Sequence, residues 1–200
     1  MNEKFFDLKT EKQDRMINAS LKVFARNGYQ YASTDEIVKE AAISKGLLFH
    51  YFGSKLGLFV FLADYAVRYM KMEIVKAVNE KETDYFAILK SIEVARLAAL
   101  RKFPHMQAFL YSLVREDDAA AVKATKEQRA NLKTLQEDML KNADYSRFRA
   151  EAEAADIEKW VSILLEGLMK ENMKGGTFKA ERYYNDAVKC IDMLGSLVRR

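Results

Sequence analysis

The side chains best suited to chemistry lie in one short segment, STDEIVKEAAISKGLLFHYFGSK, from Ser33 to Lys55. It carries the hydroxyls of Thr34 and Ser44, the ammonium groups of Lys45 and Lys55, and the ring donors His50 and Tyr51. These groups can donate hydrogen bonds to phosphates and base edges. Bond-making chemistry is not expected. The two histidines, His50 and His105, lie in different parts of the chain, and no Ser/His/Asp set, HExxH motif or phosphate-cradling glycine loop is present. The single cysteine, Cys190, excludes an internal disulfide framework and a cysteine-based zinc site, so no cofactor or metal is expected.

The segment reads as two short helices joined by a tight turn. Ser33-x-x-Glu36 is a capping box that starts a helix running to Ala41; Ala42–Ile43 is the turn, and Ser44 caps a helix to about Tyr51. At 100° per residue, Leu48 and Phe52 fall on one side, where they are expected to pack on Ile37, Leu21 and Phe24. The opposite side carries Gly46, Leu47 and His50, flanked by Lys45, Phe49 and Tyr51. Gly46 lowers helix propensity, a cost without return unless something must come close to the backbone. Leu47 can meet a thymine methyl group, and Lys45 can reach a guanine edge or a phosphate. Thr34, His50, Tyr51 and the free N–H groups at a helix start can hold phosphates, with Lys55 as a second phosphate clamp. The competing reading is a purely structural three-helix unit with solvated lysines. A surface helix so rich in rings and so poor in charge argues against it.

The elements that position this segment are all helical. Glycine (8) and proline (1) are scarce, which leaves little turn chemistry for sheets. Ile17, Leu21 and Phe24 stripe a helix from Glu11 to Asn27, with Gly28 expected to end it in a left-handed conformation. Ser54 caps a long helix to about Asn79, and Thr83 or Asp84 starts another ending near Phe103. Pro104 suits the first turn of the next helix, which ends near Arg115. Asp117 or Asp118 opens a polar helix to about Lys141, followed by a break at 142–144. Helices over 152–173 and 180–198 complete the chain, with a turn at Gly175–Gly176. The expectation is an all-α chain of about nine helices: a three-helix helix-turn-helix head over 1–53 and a larger helical body over 54–200.

Half of the 200 residues are hydrophobic and 31% are charged, as in soluble globular proteins. The net charge of +4 permits an anionic partner without requiring one. The longest apolar run, Leu56 to Ala63, is far shorter than the roughly 20 residues of a membrane span. No signal-peptide core is visible near the start, so a cytoplasmic location with no membrane partner is expected.

Several residues together resemble the DNA-binding head of the TetR family of bacterial transcriptional regulators. They are Phe24-x3-Gly28-Tyr29, Ala32-Ser33-Thr34, Ile37-x3-Ala41, Ile43-Ser44-Lys45-Gly46, Leu48, and Tyr51-Phe52-x-Ser54-Lys55-x2-Leu58. The resemblance covers roughly residues 10–60. It implies a homodimeric repressor with two heads on a palindromic double-stranded operator, and a small-molecule effector in the body. By position, Thr34, Ser44, Tyr51 and Lys55 look like backbone contacts, and Lys45 and Gly46 like base-edge contacts. Phe49 departs from the pattern, since many members have a tyrosine there; His50 stands in for it in part. A helical protein-interaction module that has lost DNA binding is the alternative.

In the body, the helix over 152–173 is apolar on more than one side. Ile157, Trp160, Val161, Leu164 and Leu168 form one stripe, extended by Ile163, Leu165 and Met169. The last helix carries Tyr184, Ala187, Val188, Ile191, Leu194 and Val198 at helical spacing. Helices with two apolar faces must bury both. Trp160, Ile163, Leu164, Leu168, Tyr184, Val188, Ile191 and Leu194 are therefore the expected dimer interface, a four-helix bundle with the twin subunit. Candidate ligand-pocket residues are Tyr65, Tyr69, Met70, Met72, Phe86, Glu93, Arg96, His105, Met106, Phe109, Tyr111 and Trp160. Their rings and thioethers suit an apolar or planar effector. Plain core packing, and a surface i,i+3 pair for Glu93 and Arg96, are the alternatives.

Overall fold

The computed structural model describes residues 3–174 and 178–199. A short 3-10 turn at Glu3–Phe5 precedes ten helices among the described residues: α1 (Thr10–Tyr31), α2 (Thr34–Ala41), α3 (Lys45–Phe52), α4 (Lys55–Ala77), α5 (Tyr85–Lys102), α6 (Met106–Arg115), α7 (Ala119–Ala124), α8 (Lys126–Leu140), α9 (Ala154–Met173) and α10 (Ala180–Val198). The expected Gly175–Gly176 turn lies outside the described residues. Among them no single helix is long and apolar enough to cross a membrane.

Two compact units are present: residues 1–69 with 102–133, and residues 70–101 with 134–200. In the first, α1 packs on both α2 and α6. Its core joins Phe24, Phe59 and Phe109, with ring centroids 5.1 to 6.5 Å apart. In the second, α9 packs on α10. Gly195 of α10 lets the backbone approach Phe86, whose ring atoms would lie 3.3 Å from an added Cβ. Phe86 also meets Phe148 at 5.6 Å and the Arg199 guanidinium at 5.0 Å. Arg199 in turn donates twice to Asp84, at 2.6 and 2.8 Å.

Three boundaries differ from the sequence reading. Gly28 does take a positive φ (65°), but its ψ of −178° is extended, and helical turns resume to Tyr31. That conformation is essentially reserved for glycine. It frees the Tyr29 N–H, which donates to Glu116 Oε2 at 2.8 Å. Pro104 is not in a helix; it occupies the second position of a turn closed by Met106 N–H on Phe103 C=O at 2.9 Å. The polar helix expected up to Lys141 is two helices, α7 and α8, parted at Thr125. The Thr125 hydroxyl is buried and donates back to Ala121 C=O at 2.7 Å, a bond that bends helices. The caps fall where their side chains indicated: Ser33 Oγ accepts from Glu36 N–H, Ser44 Oγ from Leu47 N–H and Ser54 Oγ from Gly57 N–H. Of the two candidates before α5, Asp84 is the capping residue, accepting from Ala87 N–H at 2.9 Å.

Candidate nucleic-acid interface

Helix α3 is held from beneath by Leu48, which is fully buried along with Ile37, Leu21 and Phe24. Ala42, between α2 and α3, adopts a left-handed conformation (φ 51°, ψ 53°) that turns the chain sharply enough to seat α3 on α2. Ser44, Lys45, Gly46 and His50 are exposed, and Thr34, Leu47, Phe49, Tyr51 and Lys55 are half-buried. An added Cβ at Gly46 would meet nothing within 4 Å, so the protein's own packing does not demand glycine there. The free space over that backbone is available to a groove edge.

Two lysines differ in their engagement. Lys45 Nζ pairs with Asp35 Oδ1 at 2.8 Å, an exposed ion pair that phosphates can break. Lys55 is turned inward. Its ammonium donates to the backbone carbonyls of Gln30 at 3.1 Å and Ala32 at 3.3 Å, and it lies 4.7 Å from the centre of the Tyr29 ring. It clasps the α1–α2 connection to the start of α4.

Phe52 does not join Leu48 on the α1–α2 core. It is half-buried against Phe61 at 4.9 Å and Phe5 at 5.2 Å. Phe5 is completely buried and touches Phe6, Tyr51, Phe52 and Phe61, with centroids 5.1 to 5.8 Å apart. Gln13 ties this segment down through its Nε2, which donates to Phe6 C=O and Leu8 C=O. The N-terminal residues therefore brace the end of α3. Sequence reading missed them because two adjacent phenylalanines before the first helix have no periodicity. Gly57 was missed as well: an added Cβ would lie 2.0 Å from the Phe52 carbonyl oxygen. Only glycine lets α4 begin hard against the end of α3, to which it runs at 63°.

The expected pocket residues are divided between the two units. In the first unit, Met106 and Phe109 are fully buried core. Tyr65 and Tyr69 stack at 5.9 Å beside Phe103, and burial pushes the Tyr65 hydroxyl up to about 12. His105 precedes α6; burial and the nearby Lys22 and Arg26 hold its pKa below the usual range. In the second unit, Phe86 is buried core, Met72 is exposed and Trp160 is 53% exposed. Glu93 and Arg96 are not a surface pair. Glu93 is 1% exposed, bonded to Arg96 and neighboured by the Tyr183 hydroxyl, and burial raises its pKa. The carboxylate is held between the Arg96 guanidinium and the Tyr183 hydroxyl.

Helices α9 and α10 each have a sealed and an open side. Ile157, Val161, Leu165 and Met169 are buried, as are Tyr183, Ala187, Ile191 and Gly195. Ile191, expected at the dimer interface, is instead buried in the chain's own core. Trp160 and Ile163 on α9, and Met193 and Leu197 on α10, are more than half exposed. Leu164, Leu168, Tyr184, Val188 and Leu194 are half-buried.

This geometry, a capped helix presented by a tight turn on a buried scaffold, is that of a helix-turn-helix head. Residues 16–61 match the family described as bacterial regulatory proteins, tetR family. Two curated Bacillus subtilis (strain 168) proteins are similar over the same end: the uncharacterized HTH-type transcriptional regulator YuxN, 44% identical over 55 residues, and YerO, so described too, 35% identical over 70. Those matches take in 28% and 35% of this chain but only 19% and 24% of the relatives' own lengths. Solved structures share the whole fold. A TetR family transcriptional regulator from Chloroflexus aurantiacus J-10-FL is 20% identical with a TM-score of 0.65, over 99% of this chain and 98% of its own. PfmR, a TetR family transcriptional regulator from Thermus thermophilus, is 20% identical with a TM-score of 0.59, over 91% and 94%. The likeness to the tetR family is thus one of sequence over residues 16–61 and one of fold over the whole chain.

Proposed function

We propose that this protein is a transcriptional regulator of the TetR type, a ligand-responsive repressor that binds a palindromic operator as a homodimer. The carrying observation is the outer face of α3, where Lys45, Gly46 and His50 stand in solvent on a helix whose other side is sealed by Leu48. In this reading residues 1–53 are the DNA-reading part and 54–200 bind ligand and dimerise. Lys45 and Gly46 meet base edges, with Leu47 beside them. Thr34, Ser44, His50 and Tyr51 hold phosphates, and Phe49 adds apolar contact without a hydroxyl. Lys55 acts chiefly as a clasp that positions α3, since its ammonium is engaged within the head.

The open faces of α9 and α10 support the dimer. Four large apolar side chains more than half exposed on two adjacent helices are a costly surface for a monomer. Pairing them about a two-fold axis covers them and fixes two α3 helices about one DNA turn apart, roughly 34–36 Å. The effector reads the polar centre at Glu93, Arg96 and Tyr183, a charged group buried among apolar side chains. Helix α4 begins beside α3 and its last turns belong to the second unit, so a ligand that prefers one packing of α4 changes head spacing. Selection of bound genomic fragments, followed by a gel-shift titration, tests this. At about 150 mM salt a palindrome is retained over random DNA; equal binding to both refutes it.

A further inference from the structure

The first unit contains a groove that the reading above leaves unused. It measures about 600 Å³, within the range of roughly 300–1,000 Å³ usual for small-molecule sites. Its walls are the end of α3, the first turns of α4, and the α7–α8 junction. Tyr51, Phe52 and Phe61 supply ring surface on one side. Asp64 is the one charged residue among those lining it, and Gln128 faces it from α8.

These two polar groups are incompletely served. The Asp64 side chain is 16% exposed. Arg68 Nε lies 2.9 Å from the carboxylate and bonds to Oδ1, but Arg68 itself is mostly in solvent. Asp64 Oδ2 is buried and has the same Arg68 Nε at 2.9 Å as its counter-charge, whereas Gln128 Oε1 is buried with no hydrogen-bond partner. A carboxylate whose single counter-charge comes from the solvent side, and a buried amide oxygen with no donor, beside three aromatic rings suit a donor-rich, positively charged and flat guest. We propose that this groove binds a small planar organic cation, its ring against the aromatic wall and its N–H groups on Asp64 and Gln128.

The site is distinct from the Glu93 centre, which belongs to the other unit. Because Tyr51 and Phe52 are the last residues of α3, occupancy bears directly on the reading helix. That consequence rests on the proposed function; binding itself does not.

Calorimetry on the full chain without DNA tests the binding, with three indoles that differ in charge: tryptamine (cation), tryptophol (neutral) and indole-3-acetate (anion). Tryptamine is expected to bind one-to-one with a Kd below about 1 mM, and the other two at least about tenfold more weakly. Asp64→Asn should weaken tryptamine at least about tenfold, Val60→Trp should fill the groove and abolish binding, and Glu93→Gln should leave it unchanged. Absence of tryptamine binding, equal binding of the three indoles, or loss in Glu93→Gln but not Asp64→Asn would overturn the proposal. The charge series needs no variant and stands even if one misfolds. If tryptamine binds as expected but no DNA fragment is selected, the groove stands and the repressor reading alone falls.

Discussion

Replacing Phe5 by alanine is expected to damage both stability and DNA binding, although Phe5 lies outside the helix-turn-helix. Phe5 is completely buried and contacts four rings, two of them at the end of α3. Truncating a buried phenylalanine costs about 3–5 kcal/mol, and collapse of this terminal segment into the gap favours the lower end, about 3 kcal/mol. At about 2–4 °C per kcal/mol for a chain of this size, the melting temperature should fall by roughly 6–12 °C. Tyr51 and Phe52 lose their brace, so operator affinity should drop while the response to salt keeps its slope, because no phosphate contact is removed. Phe5→Leu keeps most of the volume and should recover most of both losses. Urea denaturation followed by circular dichroism, alongside operator titration at several salt concentrations, reads all of this. Stability within about 0.5 kcal/mol of wild type for Phe5→Ala would refute the bracing role.

Four further outcomes follow from other contacts. Asp35→Asn releases Lys45 and removes a negative charge facing the phosphates, so DNA affinity should rise a few-fold and its salt dependence steepen in filter-binding assays. Gly57→Ala forces a Cβ to within 2.0 Å of the Phe52 carbonyl oxygen, so thermal melting should show a loss of a few kcal/mol and operator binding should weaken. Trp160→Glu with Ile163→Glu should yield a folded monomer by sedimentation, with weak operator binding, because neither side chain supports its own subunit's core. His105 has a pKa lowered by burial. Below about pH 6.5 the unfolded chain takes up a proton that the folded chain resists. Stability should therefore decline as pH falls through that value, and His105→Gln should flatten the decline in melts from pH 8 to about pH 5.

The helix-turn-helix was legible because its signals are local. Ser33, Ser44 and Ser54 cap through hydroxyls one turn away, and the glycine and aromatic punctuation between them has fixed spacing. What escaped depends on partners distant in sequence. Phe52 faces Phe5, Gly57 faces a carbonyl across a helix junction, and Lys55 points at carbonyls more than twenty residues back. Periodicity left Glu93 and Arg96 open between a pocket and a surface pair, because only packing shows that the Glu93 carboxylate is buried beside the Tyr183 hydroxyl. On α9 and α10 the pattern showed that two faces are apolar but not which residue serves which. Ile191 went inward and Met193 outward, a distinction that only packing makes.

The inward turn of Lys55 also bears on how such a head would find its site. Residues 1–60 carry nine lysines and arginines against seven aspartates and glutamates. Lys22 and Lys45 are neutralised by Glu40 and Asp35, and Lys55 is tucked against carbonyls. Little long-range attraction remains for an arbitrary stretch of duplex. Residence on random sequence should be brief, and the search should proceed by repeated collisions from solution more than by travel along the double helix.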